Sequence, residues 1–337
     1  MVSTELNHAG DWAEQLVTIL ERNLSRRGLA GVREHSQAVR EFRSACEYIV
    51  RCRPVLGIVT GFFIPQAGAW ESDGPPGAVF LGRCLAQLGY TVCLYAEADL
   101  AEILRWALQE CSASVAVVAF PDPQWAASWW PAEAARFGER TLSLVCIERP
   151  GPAHTPNSLA QACREPHVME EFLACVPETD WDRLHTMSGQ DVTAYHWPVH
   201  AGLESSPLRL LAIGDGGNEI GMGKLPWPRL AQAIPQGARI ACRIPADWLI
   251  LATVSNWGAY ALAAALCLLH RDWVLFSRLA HAERDLWLEV CRAHLLCDGV
   301  TGQLANHDDD FWVDGFPWRV HAAILDEITG ILRTSLP

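Results

Sequence analysis

Short apolar segments alternate with amphipathic helical segments over most of this chain of 337 residues. Six of the apolar segments are almost continuously hydrophobic, as expected for strands that are covered on both faces. Strands that alternate with helices predict an α/β fold, with a mostly parallel, doubly wound sheet and helices on both faces. The six predicted strands are VLGIVT at 55–60, YTVCLYA at 90–96, SVAVVAF at 114–120, TLSLVCI at 141–147, LRLLAI at 208–213 and DWLILATV at 247–254.

Two stretches depart from this alternation. Residues 1–53 show only helical periodicity, so we interpret them as an N-terminal helical extension packed on the core. Residues 54–337 are then a single α/β domain. Within it, residues 149–206 are rich in Pro, His and Ser and too apolar for a disordered linker. We interpret them as an irregular insertion near the sheet, and as a candidate lid.

The composition excludes several classes of protein. With 39 acidic and 26 basic residues the net charge is −13, which argues against nucleic-acid binding. The longest apolar run, 259–269, is shorter than the roughly 20 residues that a membrane helix needs. No signal or transit segment is recognisable, and the 12 cysteines are scattered without a CxxC pair. Both observations predict a cytoplasmic protein with reduced thiols.

Lys224 is the only lysine, since every other basic residue is arginine. This bias suggests a GC-rich bacterial genome. Lys224 ends the glycine-rich segment 214–224. Two roles are open for it: binding a substrate carboxylate, or fixing the glycine-rich turn.

Polar residues follow four of the predicted strands, where ligands bind in open α/β sheets. We therefore expect them to share a pocket. The four positions are Thr60-Gly61 with ESDGPPGA at 71–78, Glu148-Arg149, GDGGNEIGMGK at 214–224, and Ser255-Asn256.

Two of these segments have a specific local chemistry. In ESDGPPGA, Asp73 can cap a helix that begins at the two prolines, and Gly77 permits close approach of a ligand or another backbone. The segment at 214–224 has five glycines in ten residues, but its acids do not fit a dinucleotide or phosphate loop. Acids among glycines suit ammonium binding, proton transfer or a hard cation, or they cap a helix.

The order of the motifs resembles that of the D-glutamate cyclase family. The resemblance covers roughly residues 55 to 330, and RRGL at 26–29 is similar to the start of the family's sequence. The motifs are VTGFFIP (59–65), ESDGPPGAVFL (71–81), CIERPG (146–151), IGDGGNEIGMGK (213–224), IACRIPADWLILATVSNWGAYALAAAL (240–266), DGVTG (298–302) and VDGFPWRVHAAIL (313–325).

The resemblance implies a hydro-lyase that converts D-glutamate to 5-oxo-D-proline and water. In this reaction the α-amine attacks the γ-carboxyl carbon within one molecule. It implies a small amino-acid substrate and no redox cofactor or ATP. We expect no metal site, and whether a divalent cation binds is left open. The resemblance leaves a homo-oligomer open, and it implies neither a nucleic-acid nor a membrane partner.

On the positions that match these motifs we expect three catalytic residues. Asp215 and Glu219 are the acid and base candidates, and Asn218 is a candidate for stabilising the oxyanion. The expected substrate-binding residues are Asp73 and Glu148 for the ammonium, Gly216 and Gly217 for the oxyanion, Lys224, Ser255 and Asn256 for carboxylates, and Gly77 for close approach.

One segment departs from the family pattern. After the CIERPG motif the family continues with arginine, but this chain has Pro152. An arginine near the pocket could hold a substrate carboxylate. The departure leaves two alternatives: a divergent member that acts on another amino acid, or a binding protein without turnover.

Overall fold

The computed structural model describes residues 11–111, 113, 115–203, 206–294, 296–304 and 311–335. Its centre is a six-stranded, entirely parallel sheet in the order β3-β2-β1-β4-β5-β6, which confirms the predicted α/β class. The strands are β1 Val55–Thr60, β2 Val92–Ala96, β3 Ala116–Ala119, β4 Leu142–Ile147, β5 Arg209–Gly214 and β6 Trp248–Leu251. Two short hairpins pair Phe63–Ile64 with Ala69–Trp70, and Trp312–Val313 with Phe316–Pro317.

Thirteen α-helices surround the sheet in the described part of the chain. They are α1 Trp12–Leu20, α2 His35–Cys52, α3 Pro75–Gln87, α4 Ala98–Glu110, α5 Ala126–Ala135, α6 Pro156–Ala162, α7 Pro166–Cys175, α8 His200–Leu203, α9 Trp227–Ala233, α10 Gly237–Ile240, α11 Ser255–Leu269, α12 Trp273–His294 and α13 Trp318–Ser335. Single 3₁₀ turns lie at Leu24–Arg27, Pro123–Trp125, Glu178–Asp180 and Thr193–Tyr195.

Alternate residues of each strand enter two separate hydrophobic cores. In β1, Leu56 and Ile58 face one core, while Val55 and Val59 face the other. This follows from the period of two along a strand. Helices α1–α4 and α11–α13 cover the first face, and α5–α7, α9 and α10 cover the second. The sheet is therefore doubly wound, as its uniformly apolar strands predicted.

The N-terminal helices belong to the first core. Trp12, Leu16 and Leu20 of α1 are buried together with side chains of α2, α11 and α13. The boundary at 53/54 stays a prediction. The 3₁₀ turn after α1 ends at Gly28 with φ of 77°, where a Cβ would lie 1.9 Å from the Ala233 carbonyl oxygen. Glycine at this position therefore lets the turn approach the end of helix α9 closely.

The predicted irregular insertion at 149–206 contains three helices, α6 to α8. Pro156 and Pro166 each occupy a first helical turn, where the missing amide hydrogen has no partner to lose. Buried Arg149 donates to both carboxylate oxygens of Glu97 and to the Trp197 carbonyl, at 2.6–2.8 Å. These bonds attach the insertion to the ends of β2 and β4.

Two sequence expectations concern the whole chain. Within the described ranges, no helix is long and apolar enough to cross a membrane. All 12 cysteines are unpaired thiols, and most are buried, as predicted.

Candidate active site

An acidic cavity of about 460 Å³ opens beyond the carboxyl ends of β1, β4 and β5. The strand order reverses direction between β1 and β4, and ligands bind at such a switch point. The segments 186–188 and 299–302 form part of its wall. Its charged and hydrogen-bonding side chains are those of Arg27, Gln66, Glu71, Glu148, Thr186, Ser188, Asp215, Asn218 and Thr301.

Helices α3 and α11 begin beside this cavity and cap each other. The Asp73 carboxylate, just before α3, accepts the amides of Ser255 and Asn256 at 2.8 Å. In return, the Asn256 side-chain oxygen accepts the amides of Gly74 and Gly77 at 3.0 and 2.7 Å. The sequence predicted Asp73 as a cap of its own helix, whereas the structure uses it mainly on the other helix.

Gly77 serves the contact between these two helices. A Cβ at this position would lie 2.8 Å from the Ala259 Cβ and 2.9 Å from the Asn256 side-chain oxygen. The close approach that the sequence predicted at Gly77 is therefore made by a neighbouring helix. Neither Gly77 nor Asn256 lines the cavity among its described residues.

Glu148 lies at the end of β4 and points into the cavity. Its backbone has a left-handed φ of 45°, and its Oε2 accepts a 2.6 Å hydrogen bond from the Ser255 hydroxyl. Burial raises the pKa of Glu148 well above its ordinary value, and nearby Asp215 and Glu219 add to this rise. Ser255 thus orients a carboxyl group that favours its protonated form.

The glycine-rich segment wraps around Glu219. Its carboxylate is fully buried and accepts the amides of Asp215, Gly216 and Gly217 at 2.6–3.0 Å. Gly217 has φ of 96°, so the turn needs a residue without a Cβ. The two glycine amides expected to stabilise an oxyanion donate to Glu219 instead. The geometry gives Glu219 a structural role in the turn.

Asp215 lies in the cavity wall, and its Oδ2 accepts a 3.3 Å hydrogen bond from Arg27. Arg27 also forms an ion pair with buried Asp314. Burial raises the pKa of Asp215 well above its ordinary value, and the Arg27 charge opposes this rise. Of the two predicted acid/base residues, Asp215 is the one that contacts a cationic side chain, that of Arg27.

Asn218 and Lys224 have different environments. Asn218 lines the cavity, and its amide nitrogen donates to the His185 carbonyl at 2.7 Å. Lys224 instead donates to the Asp247 carbonyl and lies 3.1 Å from the Glu41 carboxylate of α2. Of the two roles open for the single lysine, the structure supports fixing the glycine-rich segment to its neighbours.

Sequence reasoning missed Arg27 and Glu71 as cavity residues. Arg27 is the only cation among the described residues that line the cavity, and Glu71 is buried with a pKa raised well above normal by burial, Asp73 and Asp215. Both lie in motifs that carried the family resemblance, RRGL and ESDGPPGA. The DGVTG motif likewise contributes residues 299–302 to the wall.

Three of the carboxyl groups could share a cation. One oxygen each from Asp73, Glu148 and Asp215 lies within 4.8 Å of the others. Carboxylate oxygens are the ligands preferred by Mg²⁺, Ca²⁺ and Mn²⁺. Burial raises the pKa of Asp73 to about 6, so protons would compete with a cation for this group at mildly acidic pH. The prediction that no metal is needed stays a prediction.

The departure from the family pattern lies outside the cavity lining. Pro152 is buried, and its carbonyl accepts the Arg243 amide at 2.8 Å. Among the described residues the cation in the cavity comes from the N-terminal segment, through Arg27.

Comparison with known proteins identifies the family of this chain. The family described as "D-glutamate cyclase-like, C-terminal" matches residues 16–162 and 176–329. Human mitochondrial D-glutamate cyclase is 52% identical over 324 residues, which cover 86% of this chain and 48% of the relative. This chain thus spans about half the length of that relative. A human, mitochondrial relative supports neither the predicted bacterial origin nor the predicted cytoplasmic location. Because the family match covers most of the chain, the protein belongs to the D-glutamate cyclase-like family.

Proposed function

We propose that this protein converts D-glutamate to 5-oxo-D-proline and water. The observation that carries the proposal is a cavity in which buried carboxyl groups surround a single arginine among the described lining residues. D-Glutamate has one ammonium and two carboxylates, so it complements such a cavity. The related human protein is named a D-glutamate cyclase.

The reaction moves two protons. The α-ammonium must lose a proton to become a nucleophile, and it loses a second as the C–N bond becomes an amide. Both protons are taken up by one γ-carboxylate oxygen, which leaves as water when its C–O bond breaks. The site therefore needs a proton acceptor near the ammonium and a proton donor near the γ-carboxyl.

The two buried acids at the strand ends suit these roles. Burial raises the pKa of Asp215, but its contact with Arg27 opposes that rise, so we assign Asp215 as the base that takes the ammonium proton. Glu148 is surrounded by other carboxyl groups that favour its protonated form. We assign Glu148, oriented by Ser255, as the donor to the leaving oxygen. One acid contacts a cation and the other lies among carboxyl groups, and environments that differ in this way commonly mark base and acid roles.

Arg27 and Asn218 are assigned to the substrate's oxygens. A guanidinium binds a carboxylate with two parallel hydrogen bonds, so we assign Arg27 to the α-carboxylate. An amide nitrogen carries two hydrogens, and the His185 carbonyl accepts one from Asn218. We assign the second hydrogen to the oxyanion of the tetrahedral intermediate. Because ring closure is unimolecular, holding the substrate in a folded conformation contributes much of the rate enhancement.

A substrate panel tests the proposal directly. The purified chain is incubated with D-glutamate, L-glutamate and other four- and five-carbon amino diacids, and the loss of water is followed by mass. Turnover of D-glutamate is expected. Turnover of a different diacid alone would indicate a divergent enzyme, and thermal stabilisation by D-glutamate without product would indicate a binding protein.

The first variant tests the base. Asp215→Asn keeps the size of the side chain but removes its basicity, so we expect kcat to fall by about 10²–10⁴-fold. Asp285→Asn, at an exposed position on α12, is the control and keeps normal turnover. Unchanged kcat in Asp215→Asn would exclude Asp215 as the base.

The same assay, repeated with EDTA and then with added Mg²⁺ or Mn²⁺, tests how the γ-carboxyl is activated. Turnover that persists in EDTA supports activation by protons. Turnover that requires the added cation would show that a metal, held by the three clustered carboxylates, activates the γ-carboxyl group instead.

A further inference from the structure

A second cavity, of about 710 Å³, lies at the opposite end of the sheet from the acidic cavity. Tyr90, which precedes β2, and Cys111, which precedes β3, are part of its lining. Its other sides are formed by α3 and α12. The size is in the usual range for a small-molecule site.

The charged side chains in this cavity are arginines. Arg83 of α3 and Arg278 of α12 line it, and no carboxylate does so among its described lining residues. Arg278 is exposed at the rim and donates to the Gln87 side chain. A positively charged cavity is a local exception in a chain with a net charge of −13.

Arg83 is the buried part of this site. Its side chain is 7% exposed, and its Nη1 atom has no hydrogen-bond partner among the described residues. The Glu283 Oε2 lies 3.8 Å away, beyond hydrogen-bond distance, and it also lacks a hydrogen-bond partner there. A buried, incompletely paired guanidinium is unfavourable unless an anion or hydrogen bonds compensate it.

Glu283 compensates Arg83 poorly at neutral pH. Burial raises the pKa of Glu283 to about 8, although Arg83 and the Tyr260 hydroxyl both oppose the rise. The raised pKa weakens the negative charge of Glu283, and its Oε2 lies too far from Arg83 for a hydrogen bond, so the charge of Arg83 is compensated incompletely. Farther out, Arg53 lies over the Tyr90 ring at 4.5 Å and adds positive charge on this side of the cavity.

We propose that the cavity between α3, α12 and the residues that precede β2 and β3 binds a small organic anion, whose carboxylate or phosphate group contacts Arg83 while Arg278 closes the rim. The planar guanidinium of Arg83 matches either oxyanion with paired hydrogen bonds. The neighbouring Tyr90 and Leu279 supply apolar surface for the rest of the ligand. The site is independent of the proposed cyclase activity.

Calorimetric titration of the substrate-free chain at constant ionic strength tests this site. One arm uses inorganic phosphate and the other uses succinate, so the two arms distinguish phosphate from carboxylate ligands. We expect saturable binding in at least one arm at millimolar concentration. No saturable heat in either arm would overturn the proposal.

Variants locate the binding. Arg83→Gln is expected to abolish it, and Arg278→Gln to weaken it by about tenfold. The second variant is at an exposed position, so it keeps the test valid if Arg83→Gln does not fold. Arg319→Gln, at an exposed position on α13, keeps wild-type affinity. Binding that is unchanged by both Arg83→Gln and Arg278→Gln would overturn the proposal.

Discussion

At the scale of residues, the acidic cavity depends on one guanidinium. The Arg27 side chain is 17% exposed and contacts both Asp215 and Asp314. Burial alone would lower the pKa of Arg27, but the surrounding carboxylates, above all Asp215, outweigh it and raise the pKa. Arg27 therefore stays charged at acidic and neutral pH.

Replacing this charge tests its proposed role in binding. In Arg27→Gln we expect KM for D-glutamate to rise by about 10–100-fold, because a charge-assisted pair of hydrogen bonds to the α-carboxylate is lost. Arg26→Gln is the matched control, since the neighbouring Arg26 lies over the Phe316 ring at 4.0 Å and outside the cavity lining. Steady-state kinetics measure both variants. An unchanged KM in Arg27→Gln would contradict the assignment.

The individual roles of the acids were only partly predictable. Their position after strands placed Asp215 and Glu148 correctly at the cavity, because carboxyl ends of parallel strands meet at one edge. The same reasoning treated Glu219 as equivalent to Asp215. Only the folded turn directs three backbone amides at Glu219 and leaves Asp215 facing the cavity.

At the scale of elements, the site depends on the packing of α3 against α11. The two helix starts are held together by Asp73 and Asn256, each capping the other's helix. Because Ser255 begins α11 and orients Glu148, a shift between the helices would also displace a proposed catalytic group. We therefore expect changes at this contact to affect both stability and the proposed activity.

Two glycines of α3 form a matched pair for testing this contact. Gly77→Ala places a Cβ against α11, so we expect the free energy of unfolding to fall by about 1–3 kcal/mol, with a loss of kcat. Gly82→Ala is the control. Its Cβ would have its nearest contact at an ordinary 3.4 Å, so helix propensity should raise stability by about 0.5–1 kcal/mol. Chemical denaturation measures both, and equal effects of the two changes would exclude the helix contact as the cause.

At the scale of the whole molecule, many acids are buried and held with raised pKa values. Glu71, Glu148 and Asp215 line the acidic cavity. Glu283 lies fully buried near the second cavity, beside Arg83. A carboxyl group with a higher pKa in the folded state binds its proton more tightly there. It stabilises the fold at low pH, and this contribution is lost as the pH rises through the folded pKa.

This linkage predicts the pH dependence of stability. The pKa of Glu283 rises from an ordinary 4.5 to about 8, so the melting temperature should fall as the pH increases from about 6.5 to 8. The buried histidines act in the opposite direction, since burial lowers the pKa of His154 and His321 to about 4, but their effect ends near pH 6.5.

Thermal scans in buffers without phosphate or carboxylate measure this slope. Glu283→Gln should flatten it, because glutamine keeps the hydrogen-bonding atoms but does not titrate. Glu327→Gln, at a half-exposed surface ion pair with Arg22, should leave the slope unchanged. A melting temperature that rises between pH 6.5 and 8 would contradict the prediction.

The sequence by itself determined the fold class and the edge of the sheet where the site lies. Uniformly apolar strands require cover on both faces, and parallel strands bring their carboxyl ends together, so both conclusions follow from local pattern. Only the tertiary structure decided which polar residues face the cavity. Arg27 lies in a turn that is distant in sequence from Asp215. The Asn256 side-chain oxygen accepts hydrogen bonds from two amides at the start of helix α3 and so does not face the cavity. Such pairings depend on long-range packing, which residue type and spacing do not encode.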